Sequence, residues 1–134
     1  VFKGIANACL MAYRTRQSPD GRFVLSSEDL ANLAPVALLQ DLAVVAAMGV
    51  THCERNAHHY FLGLSMFPDG VQEKVLAHHG SLYRRHSSGF PTLDIRQGTL
   101  ALDSVNRAPF GYGFELDTRQ FTPLDDWSAD SLGG

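Results

Sequence analysis

The sequence predicts an α/β fold: the carboxyl-terminal portion of a (β/α) barrel of the TIM type, followed by a β-hairpin and an extended tail. Three observations carry that expectation. Residues 23–30, Phe-Val-Leu-Ser-Ser-Glu-Asp-Leu, read as a strand with a polar end. An apolar, helix-forming run follows it. Residues 50–56, Val-Thr-His-Cys-Glu-Arg-Asn, then repeat the pattern of strand and polar end. In a barrel of alternating strands and helices the chemistry sits at the carboxyl ends of the strands. Both polar ends here carry groups able to do chemistry.

Each element has a local reason. Residues 1–5 form a short strand candidate interrupted by Lys3. Residues 6–16 are rich in helix formers, with Ile5, Cys9, Ala12 and Tyr13 spaced as one apolar face. Ser18-Pro-Asp-Gly21 is a turn, because Pro presets φ and Asp-Gly tolerates the reversal. A strand over residues 22–26 leads to Ser27-Glu-Asp. Pro35 fits the first turn of the next helix, where a missing N–H costs nothing. Val36, Leu39, Val44 and Ala47 contribute its apolar surface, and Gly49 ends it. The next strand covers residues 50–53. A further helix starts at Pro68 and runs through Val71, Val75 and Leu76 towards His79. Beyond Gly89, residues 92–95 and 99–102 flank Arg96-Gln-Gly98 as a hairpin with Gly at the positive-φ position. Residues 109–117 form a Gly-rich extended stretch, and the tail from Thr122 looks frayed. The expected division is residues 1–89 for the barrel strands and helices, and 90–134 for a hairpin and tail packing outside them.

Composition narrows the function classes. The 134 residues suffice for one domain with a core. A 45% hydrophobic and 19% charged composition excludes a disordered tail. A net charge of -3 leaves no basic footprint, so nucleic acid is not an expected partner. The longest apolar run, residues 35–50, is interrupted by Gln40 and Asp41, so no membrane span is expected. Cys9 and Cys53 fall inside expected regular elements, which suits a reducing cytoplasm. The start at Val1, directly in an apolar segment and with no signal-peptide pattern, raises the expectation that an amino-terminal part is missing.

In order, these segments resemble the carboxyl-terminal part of the enolase superfamily, in its mandelate racemase and muconate lactonizing branch. Leu25-Ser-Ser-Glu28 is similar to the seventh barrel strand and His52-Cys-Glu-Arg55 to the eighth. Val1-Phe-Lys-Gly4 is similar to the sixth, where some members carry a lysine. Pro91-Thr-Leu93, Gly98 and Pro109-Phe-Gly-Tyr-Gly113 match the closing pattern of strand, Gly-containing hairpin and Pro-x-x-Gly stretch. The resemblance implies a magnesium-dependent enzyme that abstracts a proton next to a carboxylate. The racemase-type seventh strand presents His after Ser-Ser, whereas this chain has Glu28. Dehydration of a sugar acid, epimerisation or cycloisomerisation therefore fits better than racemisation. The magnesium carboxylates belong to the third to fifth strands, which this chain does not contain. By the same resemblance the partners are a small carboxylate-bearing substrate, the remaining part of the barrel or another copy of the chain, and self-association is expected. The rival expectation is a non-catalytic α/β binding or assembly domain.

The resemblance assigns catalytic work to Glu54, Glu28 and Lys3. Glu54 would be protonated and donate a hydrogen bond to the substrate carboxylate as the enolate develops, since such electrostatic stabilisation is usually the largest catalytic contribution. Its bland alternative is an ion pair with Arg55. Glu28 would hold a sugar hydroxyl or move a proton. Lys3 would serve as acid/base or stabilise the enolate, against the alternative of a surface lysine. Ser26, Ser27, His52 and His58 are the candidates for substrate binding; for the serines a helix-capping role competes. His52 and Cys53 point to opposite faces of a regular strand, so one of them is core. The pairs His58-His59 and His78-His79 have no zinc spacing, and adjacent histidines diverge on either element. His59 is left a place at the pocket rim. His78-His79 falls near a helix end, where a cation would complement the dipole. Gly111 and Gly113 lack the third glycine of a nucleotide loop and suggest close backbone packing instead.

Overall fold

Helix propensity decides the amino-terminal segment. The structure, a computed structural model, describes residues 2–28, 32–55, 57 and 60–129. In it α1 spans Phe2–Gln17, so the strand expected over residues 1–5 is replaced by a first helical turn. Ala, Leu and Met over residues 6–12 favour helix, and that preference extends back through the short apolar start. Arg14 and Arg16 lie in the last turn, where positive charge suits the helix dipole. The half-buried face is Gly4, Ala8 and Met11, not the expected Ile5, Cys9, Ala12 and Tyr13, which are exposed. The turn at Ser18 is present, with Gly21 N–H donating to Ser18 O at 2.9 Å.

β1 (Ser26–Ser27) and β2 (His52–Cys53) pair in parallel, Ser26 opposite His52 and Ser27 opposite Cys53. Both are shorter than expected, and residues 22–25 stay outside the ladder. Parallel neighbours need a crossover, and α2 (Ala37–Ala47) supplies it. Pro35 does not sit in the first turn. It follows a cis peptide bond from buried Ala34 and precedes the N-cap residue Val36. The buried face of α2 is Leu38, Leu39, Leu42 and Val45. Of the expected Val36, Leu39, Val44 and Ala47, only Leu39 is fully buried and Ala47 is exposed. The helix is apolar almost all round, so spacing alone does not select a face. Its end is as expected. Gly49 at φ +66 closes a Schellman motif, donating to Ala46 O while Val50 N–H reaches Val45 O.

α3 (Asp69–His78) follows Pro68 and buries Val71 and Val75. β3 (Tyr83–Arg85) and β4 (Pro91–Leu93) then form an antiparallel hairpin. This ladder replaces the one expected between residues 92–95 and 99–102, of which a single bridge, Arg96 with Thr99, remains. The reversal there uses Gln97 and Gly98, both at positive φ. Leu100 and Leu102 pack against the core instead of continuing a strand. α4 (Asp103–Arg107) is short and leads into a 3-10 turn at Pro109–Gly111. One hydrophobic cluster joins Leu39, Leu42, Val75, Leu82, Val105 and Phe114, drawing on both sides of residue 89.

Gly111 makes that cluster possible. Its φ is +93, and a Cβ built there would lie 2.2 Å from Leu39 O. Gly113 meets only ordinary contacts. Gly49 shares the left-handed backbone but has nothing within 4 Å. Gly111→Ala is therefore expected to destabilise more than Gly49→Ala. Conformational strain costs each about 1–2 kcal/mol, and only at Gly111 does a steric collision add to it. Equal losses in urea-unfolding midpoints would contradict the close approach of residues 109–111 to α2.

Candidate functional site

The register of the parallel pair places two polar strand ends side by side. Exposure alternates along both segments. Ser26 is exposed, Ser27 half-buried and Glu28 exposed; His52 is exposed, Cys53 half-buried, Glu54 exposed and Arg55 buried. This is the period-two pattern of a strand with one face covered. α2 lies on the side of Cys53 and Arg55, because Arg55 pairs with Asp41 of α2 and Cys53 shares a cleft with Leu42 and Val45. Ser26, His52, Glu28 and Glu54 occupy the opposite, uncovered side. Glu54 N–H donates to Ser27 O at 2.9 Å, extending the pairing one residue past the strands and holding the backbone of the two ends together.

The other expected site residues fall elsewhere. Lys3 is exposed on α1, so its expected place at the end of a barrel strand is overturned by the helix that forms there. His58 and His59 lie outside the described residues. The ion pair considered between Glu54 and Arg55 is not what forms. Arg55 Nη1 lies 2.9 Å from Asp41 Oδ2, and Arg55 Nη2 contacts Cys53 Sγ. Adjacent residues on a strand point to opposite faces, which carries the Arg55 guanidinium away from Glu54. Sequence reasoning missed this pair. Its trace was Asp41, an acid inside the apolar run of residues 35–50.

Among the described residues no group of three or more His, Cys, Asp or Glu is arranged to hold a metal ion. The magnesium that the resemblance implies therefore finds no fitting donor set on them. No helix among them is long and apolar enough to cross a membrane. The chain matches no protein-family model, no curated protein and no solved structure.

A second polar cluster lies in the core. His79, expected to complement the end of α3 as a cation, is instead 1% exposed. Its Nδ1 is 3.2 Å from Ser104 Oγ, which accepts from Ser81 Oγ. Nε2 is buried without a hydrogen-bond partner among the described residues. The ring packs edge-on against Phe114, with centroids 6.0 Å apart. Burial first, and the neighbouring His78 second, hold the His79 pKa below its ordinary value near 6.5. Arg107 and His78 line the adjoining cleft and add no negative charge to offset protonation. The unfolded chain therefore binds this proton more readily than the folded one, and stability rises with pH in that window. The contribution is complete above about pH 6.5 and declines as pH falls below it, by at most about 1.4 kcal/mol per pH unit for one proton. His79→Gln is expected to flatten that slope in urea unfolding followed from pH 7 to pH 5. An unchanged slope in the variant would show that His79 is not the group responsible.

Proposed function

We propose that this chain contributes the last strands of a magnesium-dependent enzyme of the enolase superfamily, in the mandelate racemase and muconate lactonizing branch. The reaction removes a proton α to a carboxylate, as in a sugar-acid dehydratase, epimerase or cycloisomerase. One observation supports this reading above the others. Ser26 and His52 of the parallel strands, and Glu28 and Glu54 just beyond them, are the exposed residues in an alternation whose other members include Arg55, the partner of Asp41 on the crossover helix. In a (β/α) barrel the side away from the crossover helices faces the barrel interior, and its carboxyl end is where substrates react.

In this reading Glu54 donates a hydrogen bond to the substrate carboxylate oxygen that gains charge when the α-proton leaves. The interaction strengthens as charge develops, which is what accelerates the step. Glu28, the next residue beyond β1, holds a substrate hydroxyl or, as a carboxylate, takes up the α-proton; in the first case a base from the rest of the barrel takes it. Ser26 and His52 offer polar contacts on the same side. Ser27 is half-buried and contributes mainly its carbonyl to the Glu54 N–H. Lys3 drops out of the mechanism. The magnesium would take its carboxylates from other strands, and no step assigned here runs through it.

Glu54 and Glu28 are exposed. A working pocket therefore needs cover from the remaining part of the barrel or from another copy. Exposed Phe23 and Val24, just before β1, and Phe2 and Tyr13 on α1 are apolar surface available for such packing.

The test is α-proton exchange in deuterated buffer containing magnesium, using the polypeptide in which residues 1–134 naturally occur and a panel of sugar acids and other α-hydroxy acids. At least one acid is expected to lose its α-proton signal or be converted. Glu54→Gln is expected to slow this on the order of a hundredfold. No turnover of any acid would favour a non-catalytic assembly domain, and full activity in Glu54→Gln would remove the role assigned to Glu54.

A further inference from the structure

Glu54 is exposed and directly follows a two-residue strand, with its backbone tied to β1 by one hydrogen bond to Ser27 O. A single bond of that kind leaves the chain free to pivot about the strand end. The next residue removes the freedom. Arg55 is 7% exposed and directed to the opposite face. There its guanidinium meets Asp41 Oδ2 at 2.9 Å and contacts Cys53 Sγ. Asp41 stands in the middle of α2, the most deeply packed helix of the fold. The strand end is thus fastened to β1 on one side of Glu54 and to α2 on the other.

From this arrangement we infer that Asp41 and Arg55 are positioning residues for Glu54, an inference that rests on the function proposed above. Neither residue touches substrate. Their ion pair fixes the backbone of β2, so that the Glu54 carboxyl is held where the reacting carboxylate binds. The geometry explains an otherwise costly choice. A buried ion pair of guanidinium and carboxylate adds little net stability compared with apolar packing, whereas the guanidinium fork fixes orientation strongly. Positioning errors of an ångström reduce turnover greatly.

The experiment is a double-mutant cycle on turnover, in the natural polypeptide and on the acid that it converts. Asp41→Asn keeps shape and removes the charge, and Arg55→Lys keeps the charge and removes the fork. Each is expected to lower kcat about tenfold, with KM within about twofold, because the defect lies in orientation and not in ground-state binding. Asp41→Glu is expected to restore part of the rate. In the Glu54→Gln background, Asp41→Asn should cause no further loss, since the residue through which it acts is already gone. Circular dichroism at the assay temperature confirms that each compared variant is folded, and Arg55→Lys serves if Asp41→Asn is not. Equal losses with and without Glu54, or lower thermal stability with unchanged kcat, would overturn the positioning role. Unchanged turnover in Glu54→Gln alone would instead bring down the proposed function, and the positioning role with it.

Discussion

Parallel strands have no short connection, so Ser26–Ser27 and His52–Cys53 pair only because α2 crosses between them and buries apolar surface while doing so. Leu38, Leu39, Leu42 and Val45 have to be covered, and the chain covers them from two directions. Leu64, Val75, Leu82 and Tyr83 cluster with its leucines on one flank. Gly111, pressed against the Leu39 carbonyl, brings the segment after α4 onto another. Removing the crossover would remove the strand pairing as well as the core. The fold and the candidate site thus depend on the same helix.

That dependence determines which side chains remain available for chemistry. A helix on one face of a two-stranded unit turns every second residue inward, and the others must face something else. Here those others are Ser26, Glu28, His52 and Glu54, a polar set with no packing role in the described structure. The inward set contains Arg55, whose charge has to be matched where it is buried, and Asp41 matches it. Removing that carboxylate would take a charged partner from a buried guanidinium, which destabilises the fold. The covered side therefore constrains the uncovered one.

Much of this was legible in the sequence. The crossover, the turn at residues 18–21, the Gly49 cap and the close approach at Gly111 each follow from a residue with one dominant physical property. The amino-terminal segment departs from the expected strand because Val1, Phe2 and Ile5 carry β-propensity, while the longer run of Ala, Leu and Met decides in favour of α1. The hairpin was misplaced for a related reason. Gln97-Gly98 does make the expected reversal, but Pro91–Leu93 finds its partner in Tyr83–Arg85, a polar segment without strand periodicity. The Asp41–Arg55 pair and the buried His79 were invisible to local reasoning. They join residues 14 and 25 positions apart to their partners, and only tertiary packing decides which charges and rings lose water.

The decisive observable is where a carboxylate substrate binds. A crystal structure of the natural polypeptide with an unreactive α-hydroxy acid bound would settle it. The prediction is a ligand on the uncovered side of β1 and β2, with one carboxylate oxygen about 3 Å from the Glu54 carboxyl and Glu28 facing the same cavity. A ligand bound on the α2 side, or a Glu54 carboxyl directed into bulk solvent in the occupied protein, would contradict it.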